Sequence, residues 1–245
     1  TEIKANNAAA FYARINHAAV SYAGKLWIIG GYSATAFADL NDVWSSSDGV
    51  AWTEVASIST SKFSRRARHA VVVFNDKMYM IGGYGDGSYL SDVQSSTDGL
   101  NWQTVTSNAG FGGRAYHSCV VFNNKLWVIG GAISSTAFKN DVWSSPDGVT
   151  WTQETSAAAF SARQGHKCLV YGNKMWIVGG QETVGYSNEV WSSSDGVNWS
   201  KPAMTNTISA GRAFSAGAVF NDKMWVIGGG QGSSVHLGDI YYSTY

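Results

Sequence analysis

The sequence predicts an all-β chain, a five-bladed β-propeller of four-stranded antiparallel blades, and three observations predict it. Gly-Gly recurs at residues 30, 82, 130, 179 and 228, at spacings of 52, 48, 49 and 49 residues. Each pair closes an apolar run of one type: KLWIIGG, KMYMIGG, KLWVIGG, KMWIVGG and KMWVIGG. The composition is that of a β protein with many tight turns, with 28 Gly, 11 Trp and 12 Tyr against 2 Pro. Self-similarity at this period signals radial repetition, which protects sheet edges.

Each repeat resolves into the same elements in order. The first strand is apolar: HAAVSY, HAVVVF, HSCVVF, HKCLVY and SAGAVF. The pairs AG, ND, NN, GN and ND follow. Such pairs tolerate positive φ and predict two-residue type I′ hairpins into the second strand. That strand ends at the di-Gly. A third strand and an Asp-Gly turn come next, in NDVWSSSDGVAW, SDVQSSTDGLNW, NDVWSSPDGVTW and NEVWSSSDGVNW. The turn leads into a fourth strand carrying Trp52, Trp102, Trp151 or Trp199.

These units make residues 1–245 a single domain of five repeats of about 49 residues, with blade boundaries near 52, 102, 151 and 199. The last repeat stops at GDIYYSTY, after its third strand, and TEIKANNAAAFYAR aligns with TQETSAAAFSAR. The N-terminal segment is therefore expected to supply the outer strand of the last blade.

The di-Gly after the second strand, the Arg and His before the first, and the Trp of the fourth resemble the kelch repeat over essentially the whole chain. The chain looks like a propeller of the galactose oxidase/kelch-like class. The SSSDGVNW turn also resembles the sialidase Asp-box, although one residue shorter between Asp and Gly. Two departures stand out. Five blades are fewer than kelch domains usually have, and the fifth repeat lacks both the His and the final DGxxW. The resemblance implies a protein-binding module, a glycan-handling enzyme or a copper oxidase, because the fold serves all three.

Charge excludes some partners. Seventeen basic residues balance seventeen acidic ones. The whole chain thus offers no electrostatic footprint for nucleic acid or anionic membrane. No apolar run approaches the ~20 residues of a membrane span. Two Cys give neither a disulfide framework nor metal-site spacing. Cys119 and Cys168 occupy a slot filled elsewhere by Ala19, Val71 and Gly217, which makes them core thiols. A monomer without cofactor or metal is expected, and the low charge and richness in Ser, Thr, Asn and Gly lean towards a secreted or periplasmic bacterial protein.

Candidate site residues cluster at the entry of the first strand, on the face carrying the long, variable loops. The pattern F-x-x-R-x-x-H places Arg14, Arg66, Arg114, Arg163 and Arg212, with His17, His69, His117 and His166, around the expected channel mouth. Converging guanidinium groups suit an anion. The alternative is structural, because Asp42, Asp92, Asp141, Glu189 and Asp239 open the third strand of each blade and supply one acid per Arg. Symmetry favours the structural role: a residue needed once for chemistry need not appear five times.

Positions where one blade breaks the pattern are better functional candidates. Arg65 stands alone beside Arg66. The residue before the His reads Asn16, Arg68, Tyr116, Gly165 and Phe214, and the one after reads Ala18, Ala70, Ser118, Lys167 and Ala216. Lys167 is a lone charge on an inner strand, where burial is costly. The loops add Glu182, His236, Asp86, Tyr89, Phe37, Phe138 and Tyr186. The candidate ligand-binding set is Arg65, Arg66, Arg68, Arg114, Tyr116, Arg163, His166, Lys167, Glu182 and His236.

The closeness of the repeats leaves few unique residues for asymmetric chemistry. The leading reading is a non-enzymatic propeller that binds a glycan or a protein through the loop face. A sugar-processing enzyme of the sialic-acid epimerase or glycosidase kind is the rival, motivated by Arg65, Arg68, Tyr116 and Lys167. An engineered or minimal repeat propeller without activity is the third reading. A copper oxidase of the kelch type would need a Cys cross-linked to Tyr, but Cys119 and Tyr116 lie three residues apart on a strand and face opposite sides.

Overall fold

The computed structural model describes residues 11–55, 62–203, 208–232 and 234–243. The fold is all-β, a five-bladed β-propeller of antiparallel blades. The chain divides into two compact units, Thr1–Ala115 and Tyr116–Tyr245.

The first unit holds two blades. Strands β1 (Ala18–Tyr22), β2 (Lys25–Ser33), β3 (Ala38–Ser46) and β4 (Thr53–Glu54) form the first, in that order. Strands β5 (Ala70–Phe74), β6 (Lys77–Gly85), β7 (Ser88–Ser96) and β8 (Gln103–Thr106) form the second. The second unit begins with β9 (Ser118–Phe122), β10 (Lys125–Ala132), β11 (Phe138–Ser145) and β12 (Thr152–Thr155), again four strands in order. In the fourth blade, β13 (Arg163–Gln164) pairs apart with β16 (Gln181–Glu182). Its main sheet is β14 (Lys167–Tyr171), β15 (Lys174–Val178) and β17 (Val190–Ser193). The fourth strand there shrinks to one bridge, Ser192 to Ser200. The last blade pairs β18 (Ala216–Phe220), β19 (Lys223–Ile227) and β22 (Ile240–Tyr242), with β20 (Gly230–Gln231) and β21 (Val235–His236) as a small hairpin. The N-terminal strand expected to complete this blade falls in residues 1–10, outside the described residues.

The turns follow from local chemistry. Asn75 and Asp76 have φ of 45° and 55°, and Asn123 and Asn124 have 48° and 54°. Both pairs form the left-handed two-residue hairpins that match strand twist. At the Asp-Gly turn, Asp48 Oδ1 accepts the backbone N–H of Val50 at 2.8 Å and of Ala51 at 2.9 Å, while Ser46 Oγ accepts the N–H of Gly49 at 2.8 Å. Asp98, Asp147 and Asp195 repeat the arrangement. The Asp-box-like motif is thus a turn clamp.

The core lies between blades. In the first unit Trp27, Ile29 and Val43 of one blade meet Phe63, Met78, Met80 and Trp102 of the next. In the second unit Val120, Phe122, Trp127, Ile129 and Val142 meet Phe160, Cys168, Met175, Ile177 and Trp199. Trp176, Val178 and Val190 then meet Ile208, Met224 and Val226. The indole N–H of each second-strand Trp is satisfied by a carbonyl at the end of the first strand, as in Trp127 to Phe122 at 2.8 Å and Trp176 to Tyr171 at 2.9 Å. A buried Trp needs such a partner.

Candidate functional site

The first-strand entry is built by the di-Gly. Gly30 and Gly31 have φ of 56° and 102°, and the β2–β3 register shifts between Ile29 and Gly31. This bulge brings the backbone of the following blade close. Gly31 N–H donates to the Arg66 carbonyl at 2.9 Å, and a Cβ on Gly30 would lie 2.8 Å from that oxygen and 3.1 Å from His69 Cε1. The second unit repeats this: Gly180 N–H donates to the Arg212 carbonyl at 2.7 Å, and a Cβ on Gly130 would lie 3.1 Å from His166 Cε1. Only glycine admits this approach. The di-Gly of one blade and the Arg and His of the next are one packing motif.

The Arg side chain ties its own blade together. Arg66 donates from Nη1 to the Gly82 carbonyl at 3.1 Å and to Asp92 at 2.7 Å, and from Nη2 to Asp92 at 2.8 Å. Arg14 does the same with Gly30 and Asp42, and Arg212 with Gly228 and Asp239. Arg163 reaches the Gly179 carbonyl at 2.8 Å, Glu189 at 3.1 Å and Glu182 at 2.8 Å. Arg114 is buried, donates to the Phe111 carbonyl, and offers its own carbonyl to Gly83 N–H. These are bidentate or fork contacts that a guanidinium suits. The pairs lie within blades; the link between blades is the Arg carbonyl on the preceding di-Gly.

The acids respond as paired groups do. Burial pushes Asp92 upward, but hydrogen bonds from Arg66 and Gln94 and the Arg66 charge outweigh it, so the carboxyl sits below its usual range. Burial also raises Glu189, and Lys201, Trp191 and Arg163 overcome it to bring the group to about 2. The hydrogen bond from Arg212 leads in lowering Asp239 to about 2. His166 is buried, and neither ring nitrogen makes a hydrogen bond of normal geometry. Burial, then the charges of Arg163 and His117, push it down to about 3.

Lys167 is accommodated by its neighbour. Its stem runs over Gly217 of the next blade, where a Cβ would lie 2.8 Å from Lys167 Cγ. Other blades carry Ala19, Val71, Cys119 or Cys168 in the Gly217 slot. The two departures compensate each other. Half-buried, the amine has its pKa lowered by desolvation. Gly217→Val is expected to cost about 1–3 kcal/mol by overpacking. Lys167→Ala in the same chain is expected to recover most of it, read as a coupling energy from urea unfolding of the four proteins. Additive losses would show that the two positions do not touch. Cys168 is a buried thiol, pushed up to about 12 mainly by burial, which fits an inert core group.

The position before the His is different. Asn16, Arg68, Tyr116, Gly165 and Phe214 all have left-handed backbone, with φ of 57°, 62°, 54°, 61° and 60°. Their amides hand hydrogen bonds from blade to blade. Arg68 N–H donates to the Asn16 carbonyl at 2.8 Å in the first unit. In the second, Gly165 donates to Tyr116 at 2.9 Å and Phe214 to Gly165 at 2.7 Å. Gly or Asn meets this demand cheaply, whereas a bulky side chain there costs roughly 1–2 kcal/mol. The chain nevertheless carries Arg68, Tyr116 and Phe214.

In the second unit those residues assemble. The Phe214 ring folds back across Gly165, where a Cβ would lie 2.4 Å from Phe214 Cε1. It meets Tyr116 with ring centroids 4.9 Å apart and planes inclined at 59°. Phe214 remains 47% exposed. Gln164 precedes Gly165 and donates from Nε2 to Gln181 Oε1 at 2.7 Å. Equivalent bridges in other blades are Ile15–Tyr32, Ala67–Tyr84 and Ala213–Gly230, so the amide pair is peculiar to blade four. In the first unit Arg68 lies over the Tyr84 ring at 5.1 Å, and exposed Arg65 donates to the Asp39 carbonyl at 3.4 Å. His236 is exposed on β21, and Glu182 is held by Arg163 and by Ser161 Oγ at 3.1 Å.

Of the candidate residues, Arg66, Arg114, Arg163 and His166 are therefore buried in the blade framework, and Lys167 is packed on Gly217. Arg65, Arg68, Tyr116 and His236 face solvent wholly or in part. Gln164, Gln181 and Phe214 were not singled out by sequence reasoning. Comparing position 164 with Ile15, Ala67, Ala115 and Ala213, and position 181 with Tyr32, Tyr84 and Ala132, would have found the amides. Among the described residues, no group of three or more His, Cys, Asp or Glu is placed to hold a metal ion, and no helix is long and apolar enough to cross a membrane.

Comparisons with known proteins agree with this architecture. A search among curated proteins gives no significant match. The solved structure titled "Structure of YjhT" superposes with a TM-score of 0.78 at 16% identity, covering 95% of this chain and 84% of that one. At that identity the likeness is one of fold. The model of the KLHDC2/KLHL20/DRC7 Kelch-repeats domain matches residues 4–131 and 94–244. Spanning nearly every residue with the di-Gly, Arg and His in their packing roles, the chain belongs to the Kelch-repeat family.

Proposed function

We propose that this protein is a non-enzymatic Kelch-repeat binding module, which takes a glycan or protein ligand at the end of the blades where the first strands begin. The observation that carries the reading is the left-handed position before the His. Arg68, Tyr116 and Phe214 stand there at an energetic cost, partly or well exposed, while Arg66, Arg114, Arg163 and Arg212, with His69, His117 and His166, are buried in the blade framework. Side chains retained against backbone preference and turned to solvent suit recognition. Membership of a family whose propellers typically mediate binding supports the same reading.

The test is a screen of immobilised glycans and displayed peptides against the protein and three variants. Retention of at least one ligand is expected to fall about 10-fold or more in Arg68→Ala or Phe214→Ala. Val149→Ala, on the exposed Asp-Gly turn after β11, serves as the control and is expected to bind normally. Ligands that respond to Val149→Ala and ignore the other two variants would move the site away from this end.

A further inference from the structure

We infer that Tyr116, Gly165 and Phe214, with the Gln164–Gln181 amide pair, form a stacking subsite for the sugar ring of a neutral carbohydrate; this rests on the binding role proposed above. Three observations converge. The two rings form one inclined surface, 4.9 Å between centroids, whose Phe214 side is open to solvent. Gly165 is what allows the surface to exist, because any side chain there would displace the Phe214 ring. The amide pair, one residue along the chain from Gly165, replaces apolar or small residues in the other blades.

The chemistry matches a pyranose better than other ligands. One face of such a ring is a row of axial C–H bonds that stacks on an aromatic face, and its edge presents neighbouring hydroxyls. Gln164 and Gln181 spend one donor and one acceptor on each other, leaving amide donors and acceptors for hydroxyls. A protein interface needs about 800 Å² on each side. Two rings supply far less than that, since each buries only about 150–250 Å². No arginine or lysine belongs to the subsite, so an anionic sugar gains nothing from it.

The backbone gives a further reason. All five blades need positive φ at this position, and Asn16 and Gly165 show the inexpensive solutions. Blades three and five use aromatic residues instead, and these are the two that the carbonyl ladder through Gly165 brings together.

Titration with cellohexaose, mannohexaose and xylohexaose tests the inference, followed by 15N chemical-shift changes of the full chain. At least one is expected to bind and to shift the amides of Gly165 and Phe214. Phe214→Ala should weaken it about 10-fold or more, the loss typical of removing a stacked ring. Phe214→Trp should retain affinity, and Gln181→Ala should weaken binding about 3-fold to 10-fold. Thermal unfolding of each variant confirms that the fold persists. Sugars that bind without sensing Phe214 or Gln181 would overturn the subsite. If no sugar binds but a displayed peptide does so in a Phe214-dependent way, the carbohydrate assignment is overturned and the binding role stands. If Phe214→Ala affects no ligand of any class while Arg68→Ala does, the subsite is again overturned and the wider reading survives.

Discussion

Arg66→Met is expected to lower the unfolding free energy by about 3–5 kcal/mol, the loss typical of removing one partner from a buried ion pair. Arg66 is only 1% exposed, and its guanidinium satisfies Asp92, the Gly82 carbonyl, and the Ser64 carbonyl and hydroxyl. Met fills the volume but leaves the partly buried carboxylate with only the Gln94 amide as a side-chain donor and takes the guanidinium donors from the Gly82 and Ser64 carbonyls, and such losses are expensive. Replacing both charges, as in Arg66→Met with Asp92→Leu, is expected to recover much of the loss, because apolar substitutes for a whole pair are often neutral. Urea unfolding of the single and double variants measures both effects. A single-variant loss below about 1 kcal/mol would place Arg66 with exposed pairs, which contribute little, and would contradict its framework role.

Acid is expected to destabilise the protein well above the pH at which ordinary carboxylates titrate. His166 has its pKa lowered from 6.5 to about 3 in the folded chain. Between those values the unfolded chain binds a proton that the folded chain refuses, so stability falls as pH drops. Protection is complete above pH 6.5 and is lost progressively down to about pH 3. Each pH step of one below 6.5 removes about 1.4 kcal/mol, so the loss by pH 4 is on the order of 3 kcal/mol. Glu189 acts in the same direction but later. Its folded pKa, about 2 against 4.5, means that its contribution is present above pH 4.5 and disappears as pH falls towards 2. Unfolding free energies measured from pH 8 to pH 4 in wild type and His166→Gln separate the two. The variant is expected to have a flatter profile from pH 6.5 down to pH 4, keeping only the later decline that Glu189 supplies below pH 4.5. Equal slopes above pH 4.5 would show that His166 titrates normally.

These expectations rest on features of unequal legibility. The strand pairs and turns were readable because they are local. Asn-Asp and Asn-Asn select left-handed hairpins without help from the rest of the chain, and Ser-x-Asp-Gly closes its own hydrogen bonds. The pairing of Arg66 with Asp92 was readable as a count, one acid for each arginine. That the arginine also holds Gly82, while its carbonyl caps Gly31, was not, because those contacts depend on a bulge that lets two backbones approach. Lys167 shows the limit most clearly. As a lone charge among small residues it stands out in the sequence, but the packing of its stem on Gly217, 50 residues later, is visible only in three dimensions.

Period and composition alone determined the all-β class, the five repeats, the position of each hairpin and the end of the blades that carries the variable loops. The reason is that repeated local chemistry leaves little choice of element. Only the tertiary structure decided which residues at that end are spent on the framework and which are offered to solvent. Arg163 and His166 are as polar as Arg68 and Tyr116 in a sequence; they differ because Arg163 is held by Gly179, Glu182 and Glu189 of its own blade and His166 lies against Gly130 of the preceding one, whereas Arg68 and Tyr116 stay at least partly exposed. Phe214 and Tyr116 lie 98 positions apart, and they meet because the backbone of Gly165 links their blades and its missing side chain leaves room for the ring.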